Sequence, residues 1–272
     1  MLKPESYQFP ADPWETLFQA KERGTVLTAR VGALDYPDGV PTWILAFPNL
    51  DGARGLVPAA EAGVDKSLMR RFVGQDIRVK VKGLDRDSGL VACSRREAVE
   101  EARTKLNVRV GQVLECSVRA ILPRDRESGK PPRLLVDVGG GVMVEIPEAR
   151  AALRLSQALN RQYRIGETVA AKVTEVTDDG LPVLSVRHAR PDPWACADFR
   201  RGSIIAGTVY TVRQTRAGHG RIVYVEPHLT PGLLGIAPVP LVGEVKPGDR
   251  VTCAVATFDR ASRKLRLRLR GW

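Results

Sequence analysis

An all-β protein built from three tandem small domains is what this sequence predicts, and three observations carry that expectation. A glycine with a valine seven positions on opens each third of the chain (Gly24 and Val31, Gly111 and Val118, Gly202 and Val209), and a second such pair follows within each (Gly74 and Val81, Gly166 and Val173, Gly248 and Val255). Each cycle closes on a short alternating run: LVACS from Leu90 to Ser94, PVLSV from Pro182 to Val186, and KLRLRLR from Lys264 to Arg270. Between these anchors lie brief β-branched stretches bounded by Gly, Pro, Asp and Asn, the pattern of strands joined by turns. Self-similarity at a fixed interval marks one module per repeat, and 272 residues at roughly 90 per repeat give three modules, at 1–103, 104–190 and 191–272.

In the first module the strands are TVLTARV (Thr25 to Val31), TWILAF (Thr42 to Phe47), DIRVKVK (Asp76 to Lys82) and LVACS. The second has VLECSV, RLLVDV, VMVEI and TVAAKVTEV, and the third has SIIAGTVYTV, RIVYVE, RVTCAVATF and KLRLRLR. GLVP at Gly55 to Pro58 and GLLG at Gly232 to Gly235 supply a further short strand, so that five can be drawn per module. Each set makes a small antiparallel barrel or sandwich. Gly139-Gly140-Gly141 precedes a strand, not a helix, and no Lys-Ser/Thr follows, so it reads as a hairpin turn and not a phosphate loop. Helices have supporting roles: Arg95 to Lys105 bridges the first two modules, and Glu148 to Tyr163 spaces its apolar positions as an amphipathic helix does. Asp12-Pro13-Trp14 and Asp192-Pro193-Trp194 precede the first and third modules as stiff hinges whose indoles pack on the barrel that follows.

Several function classes are disfavoured. No apolar run approaches the ~20 residues that cross a bilayer, and the opening MLKPESYQFPADPWE lacks the basic-then-apolar order of a secretory signal, so a cytoplasmic protein is expected. Cys93, Cys116, Cys196 and Cys253 form no pair at metal-ligand spacing and read as small hydrophobes in a reducing compartment. His188, His219 and His228 have no partner at ligand spacing, and no serine or cysteine lies in a nucleophile motif. A non-enzymatic protein without cofactor or metal is the expectation.

Charge points instead to a polyanion. Lys and Arg number 15 against 15 Asp and Glu in residues 1–103, 14 against 10 in 104–190, and 13 against 6 in 191–272. A cationic excess that grows toward the C-terminus suits phosphate, whose neutralisation releases counterions. In KLRLRLR the period of two puts Leu265, Leu267 and Leu269 on one face and Lys264, Arg266, Arg268 and Arg270 on the other, with a weaker echo in Arg78, Lys80 and Lys82.

The order of a glycine-led first strand, a GLV-type third strand, a glycine before a VxVKV-like fourth strand and an LS-type fifth strand resembles the S-one RNA-binding domain, the repeat of the largest small-subunit ribosomal protein of bacteria. The likeness runs from about Trp14 to Trp272 in three copies, with similar DPW and SRR junctions. It implies a five-stranded OB barrel, and hence three tandem five-stranded OB-fold barrels with short linker helices. It also implies single-stranded RNA, such as mRNA, or the ribosome as partner, with bases stacked on exposed rings and basic side chains tracking the phosphates. Departures from the family pattern are frequent. Trp43 takes the place of the second aromatic in the first module, where Pro58 stands for the histidine and Leu90 for the fifth-strand basic residue. The second module has Leu135 and Leu181 at such positions and only Tyr163 as an aromatic. In the third, Ile222 and Gly235 replace the aromatic and the histidine, while His219, Tyr224 and Lys264 remain. The contacts expected are Trp43, Arg78 and Lys80 in the first module and Arg213, Arg221, Tyr224, Lys264, Arg266 and Arg268 in the third, the second being degenerate. The alternative is a ribosome-docking or protein-interaction adaptor made of degenerate barrels.

Overall fold

The computed structural model describes residues 12–48, 50, 52–214, 220–240 and 243–271, so His219 and Trp272 lie outside the described residues. Among the described residues fifteen strands fall into three sets of five, and the fold is all-β, as expected. The first set is β1 (Val26–Asp35), β2 (Thr42–Ala46), β3 (Arg54–Pro58), β4 (Asp76–Asp85) and β5 (Leu90–Ser94), closed in the order β1-β2-β3-β5-β4. The second is β6 (Val113–Leu122), β7 (Arg133–Asp137), β8 (Met143–Pro147), β9 (Thr168–Val176) and β10 (Pro182–Ser185). It keeps the same relative order, β10-β9-β6-β7-β8, but without a hydrogen-bonded closure between β8 and β10. The third is β11 (Ile204–Gln214), β12 (Arg221–Pro227), β13 (Gly235–Pro238), β14 (Arg250–Asp259) and β15 (Lys264–Gly271), again closed. The third strand of this last barrel thus begins where the GLLG run ends, because Gly232 N–H is bonded to the Glu226 carboxylate (2.7 Å) and not to a strand.

The repeated glycine-valine phrase has a direct structural cause. Gly74, Gly166 and Gly248 hold φ of 84°, 86° and 96°, where only glycine is unstrained, and donate to the carbonyls of Val31, Val118 and Val209 at 2.7, 2.7 and 2.8 Å. Each valine N–H answers to the carbonyl of the residue after the glycine (Gln75, Glu167, Asp249), at 2.9 Å in all three. Gly111 and Gly202 make the complementary bonds to Val173 and Val255, both at 2.8 Å. Gly24 departs from this: it caps a helix.

That helix is α1 (Pro13–Arg23), which the hinge expectation did not foresee. Asp12 is its N-cap, accepting from Trp14 N–H at 3.0 Å, Pro13 stands in its first turn, and Gly24 ends it in the left-handed conformation. Leu17 and Ala20 are buried beneath it. The same device recurs at α7 (Pro193–Cys196), where Asp192 accepts from Trp194 N–H at 3.1 Å. Both capping aspartates also pair with an arginine of the fourth-to-fifth strand turn: Asp12 with Arg86 (2.8 Å) and Asp192 with Arg263 (2.6 Å). Trp194 stacks on Phe258 at 6.1 Å between centroids, so this indole does pack on the barrel that follows.

Contacts divide the chain into two compact units, Met1–Asn107 with Asp137–Met143, and Val108–Val136 with Val144–Trp272. In the first, the barrel core is Val31, Trp43, Leu45, Val57, Val79 and Val91, joined by Met69 and Phe72 from the β3–β4 connection, which holds α2 (Ala59–Ala62) and α3 (Lys66–Met69). The bridging helix α4 (Arg95–Thr104) matches its expected span and is capped by Ser94, whose hydroxyl accepts from Glu97 N–H at 3.1 Å. Arg95 is 1% exposed; its guanidinium donates to the carbonyls of Ala62 (3.0 Å) and Gly141 (2.8 Å) and lies over the Phe72 ring. The triple-glycine segment is a turn, as expected, with Asp137 Oδ1 accepting from Gly139 and Gly141 N–H at 2.8 and 3.1 Å.

The second unit corrects the expected helix at 148–163. Only α5 (Glu148–Ala151) and α6 (Leu159–Gln162) are helical. Between them the backbone is diverted by side chains: Gln162 accepts from Leu153 and Arg154 N–H, and the carboxylate of Glu226 on β12 accepts from Leu155 N–H (2.9 Å), Ser156 N–H (2.7 Å) and the Ser156 hydroxyl (2.5 Å). An amphipathic period cannot reveal a competing acceptor that arrives from another barrel. Glu226 is 1% exposed, and its two oxygens serve four donors. Glu226→Gln turns one oxygen into an amide that faces donors, and urea unfolding of the variant is expected to show a loss of about 1–3 kcal/mol.

Candidate nucleic-acid interface

Alternation along the third barrel decides what reaches its surface. On β12, Val223 and Val225 are fully buried and Ile222 and Tyr224 face outward; on β15, Leu265 and Leu267 are buried while Lys264, Arg266, Arg268 and Arg270 are exposed. Strand pairing then sets a row around the barrel: Thr211 opposite Tyr224, Tyr224 opposite Ile236, and Ile236 opposite Arg266. With neighbouring strands roughly 4.8 Å apart, the backbones of Tyr224 and Arg266 are about 10 Å from each other, within reach of one nucleotide. The half-buried Tyr224 ring has the Arg213 guanidinium 6.0 Å from its centroid, which steadies one side of the ring and adds charge beside it. Ile236, in the middle of the row, was absent from the expected contacts, although its place between the buried Gly235 and Ala237 follows from the same period of two.

Among the described residues, no ion pair neutralises the arginines of this face. Among the described residues none of Arg213, Arg221, Arg266, Arg268 and Arg270 makes an ion pair; the bridges of this barrel are Arg263 with Asp192 and Lys246 with Glu244. Arg266 stands opposite Thr257 and Arg268 opposite Ala254, so neither meets a carboxylate across the ladder. Lys264 does stand opposite Asp259, whose carboxyl is held below its usual range first by the Ser262 hydroxyl and only lastly by the Lys264 charge. Arg221 is exposed at the start of β12, beside residues 215–219, which lie outside the described set.

The first barrel is different, and Trp43 is the main correction. Its indole is 0% exposed, donates from Nε1 to the Met69 carbonyl at 2.9 Å, and lies 5.4 Å from the Phe72 ring. It therefore fills the barrel and offers no stacking surface. Lys80 is paired with Glu101 (2.8 Å) and Lys82 with Glu97 (2.5 Å), because α4 packs on β4 with these carboxylates toward the strand. Glu101 is held down to about 2, by Lys105 first and then by Lys80. Arg78 alone of this trio stays exposed and without an ion pair among the described residues. The row that matches Thr211, Tyr224, Ile236 and Arg266 reads Ala33, Ile44, Leu56 and Ala92 here, wholly apolar.

In the second set Leu135 is 5% exposed, and Tyr163 is buried with its hydroxyl donating to the Ala151 carbonyl at 2.7 Å. Burial pushes the Tyr163 phenol up to about 12. Burial likewise raises the thiols of Cys93 to about 12 and Cys253 to about 11, which removes thiolate chemistry near neutral pH. Among the described residues no three His, Cys, Asp or Glu side chains are grouped to hold a metal ion, and no helix is long and apolar enough to cross a membrane.

No family model matches the chain. It is similar to the small ribosomal subunit protein bS1 of Staphylococcus saprophyticus, 27% identical over 239 residues that cover 81% of this chain and 56% of that protein. The bS1 protein of Streptococcus pneumoniae is 27% identical over 173 residues, 59% of this chain and 40% of that one. That of Staphylococcus haemolyticus is 26% identical over 240 residues, covering 81% and 57%. The chain thus spans about half the length of the curated relatives it matches. Among solved structures, a multidomain protein with nucleic acid binding domains from Streptococcus pneumoniae aligns over 90% of this chain and 73% of its own, at 12% identity and a TM-score of 0.24.

Proposed function

We propose that this chain, a tandem array of three five-stranded S-one-type units, binds single-stranded RNA in the cytoplasm without catalysing a reaction, and that the third barrel carries the binding. The observation that carries this reading is the outward row of Tyr224, Ile236 and Arg266, flanked by Arg213 and Arg268, in which no cation is paired with a carboxylate among the described residues. A planar ring beside unpaired guanidiniums suits a base next to its phosphates whatever the base, because every base has a π-face. The raised thiols and the scattered histidines support a binding protein over an enzyme. The relatives' membership of the small ribosomal subunit makes mRNA or the ribosome the natural setting.

The expected test is fluorescence anisotropy with labelled single-stranded RNA. Tyr224→Ala is expected to weaken binding by about 1–3 kcal/mol, the contribution of one stacked base, and Tyr224→Phe to keep most of the affinity. Equal affinity for all three proteins would contradict the reading. The adaptor reading draws on the apolar row of the first barrel, Ala33, Ile44, Leu56 and Ala92, which suits a protein surface better than a phosphate chain. It predicts no RNA affinity even at low salt.

A further inference from the structure

Within the second unit, a cleft lies where the linker between β10 and β11 meets the second and third barrels. One part, about 480 Å³, is walled by Leu153, Pro191, Pro193, Leu229 and Pro231, with Leu229 90% exposed. It runs into a second part of about 540 Å³ lined by Arg187, His188, Arg190 and Arg263, the two sharing Arg187, Arg190, Pro193 and Gly232 as walls. Each part falls in the size range of small-ligand pockets, ~300–1,000 Å³.

The charge of this cleft is positive and open. Arg187 is fixed by the carbonyls of Ala149 and Gly232, both at 3.3 Å, which orient the guanidinium, and it makes no ion pair among the described residues. Arg190 is exposed and makes no ion pair among the described residues. Asp192 is the one carboxylate among the described lining residues, and it already accepts from Arg263 (2.6 Å) and from Trp194 N–H (3.1 Å). Arg263 directly precedes Lys264, the first residue of β15, so the cleft adjoins the start of the strand that carries the cationic row. An apolar wall beside a cationic one, next to the strand that carries the cationic row, is the chemistry of a nucleotide: a flat base against Leu and Pro, a phosphate against Arg.

We infer that this cleft seats a nucleotide of the same RNA strand that lies on the third barrel, its base against Leu153, Leu229 and the prolines and its phosphate against Arg187 and Arg190. The inference rests on the RNA-binding reading above and extends the bound strand from one barrel toward a second. It also gives the second set of strands a role although its one ring, Tyr163, is buried.

Cys196 provides the probe, since it lines the apolar part and is exposed, while Cys93, Cys116 and Cys253 are buried. Alkylation of Cys196 by iodoacetamide is to be followed by mass spectrometry, with anisotropy measured on the same samples. A long oligouridylate is expected to slow alkylation several-fold, and uridine monophosphate at the same nucleotide concentration is expected not to. Arg190→Glu should abolish the protection and weaken RNA binding by about fivefold near 0.1 M salt, the effect of one phosphate contact; Leu229→Asp should abolish protection as well. RNA that binds while Cys196 is alkylated at the free rate would overturn this inference alone. Protection by the mononucleotide would overturn it too, marking a small-ligand site. No RNA binding at all would overturn the RNA-binding reading along with it.

Discussion

Trp43→Ala is expected to lower the stability of the first barrel by about 3–5 kcal/mol, the usual cost of truncating a large buried aromatic, and to leave the RNA affinity of the folded protein unchanged. The indole is 0% exposed, and its ring lies against Phe72, which in turn carries the buried Arg95. Its Nε1 donates to the Met69 carbonyl, so truncation empties a core volume and strips a buried acceptor at once. Trp43→Phe should recover part of the loss by refilling the space and fail on the hydrogen bond. Urea unfolding followed by far-ultraviolet circular dichroism measures the first effect, and anisotropy below the unfolding transition measures the second. A small stability loss with a large loss of RNA affinity would place Trp43 at a binding surface, against the burial seen here.

The second large effect is expected from Lys264→Ala, Arg266→Ala and Arg268→Ala combined. For a single strand each phosphate contact contributes about 0.7 to the slope of log affinity against log salt. Between about 0.1 and 1 M salt that is about 0.7 log units per contact, so removing three should weaken binding roughly 100-fold at 0.1 M salt, about 2.7 kcal/mol. Arg266 and Arg268 should account for most of it, because Lys264 already faces Asp259. The folded barrel should tolerate the change: all three side chains are exposed, and the buried Leu265 and Leu267 keep β15 in place.

Much of the fold was legible because its repeats are backbone requirements. Gly74, Gly166 and Gly248 recur since each turn needs a positive φ and an N–H aimed at a fixed valine carbonyl, and such needs are written as residue identity. The basic row on β15 was legible for a similar reason, a period of two that assigns faces without knowledge of neighbours. Trp43 was open to the same argument. It shares a face with the buried Leu45, and alternation along β2 places both inside; the expectation of a stacking ring came from the family pattern, not from the strand. The start of α1 was also readable, since Asp before Pro is a cap followed by a first-turn residue.

Other features depend on partners far away in sequence. Lys80 and Lys82 look like an open cationic strand until α4 lays Glu101 and Glu97 on them. The break in the expected helix at 148–163 depends on Glu226, 71 and 70 positions from Leu155 and Ser156, whose N–H groups it binds. The row of Tyr224, Ile236 and Arg266 exists only through the register of three strands, one of them paired in parallel.

Salt dependence of RNA binding tests the central claim most directly. Plotted as log affinity against log salt for the native protein and for the triple β15 variant, the account predicts a steep line for the native chain and one shallower by about 2 for the variant, three phosphate contacts at about 0.7 each. Parallel lines, or a native affinity indifferent to salt, would contradict it.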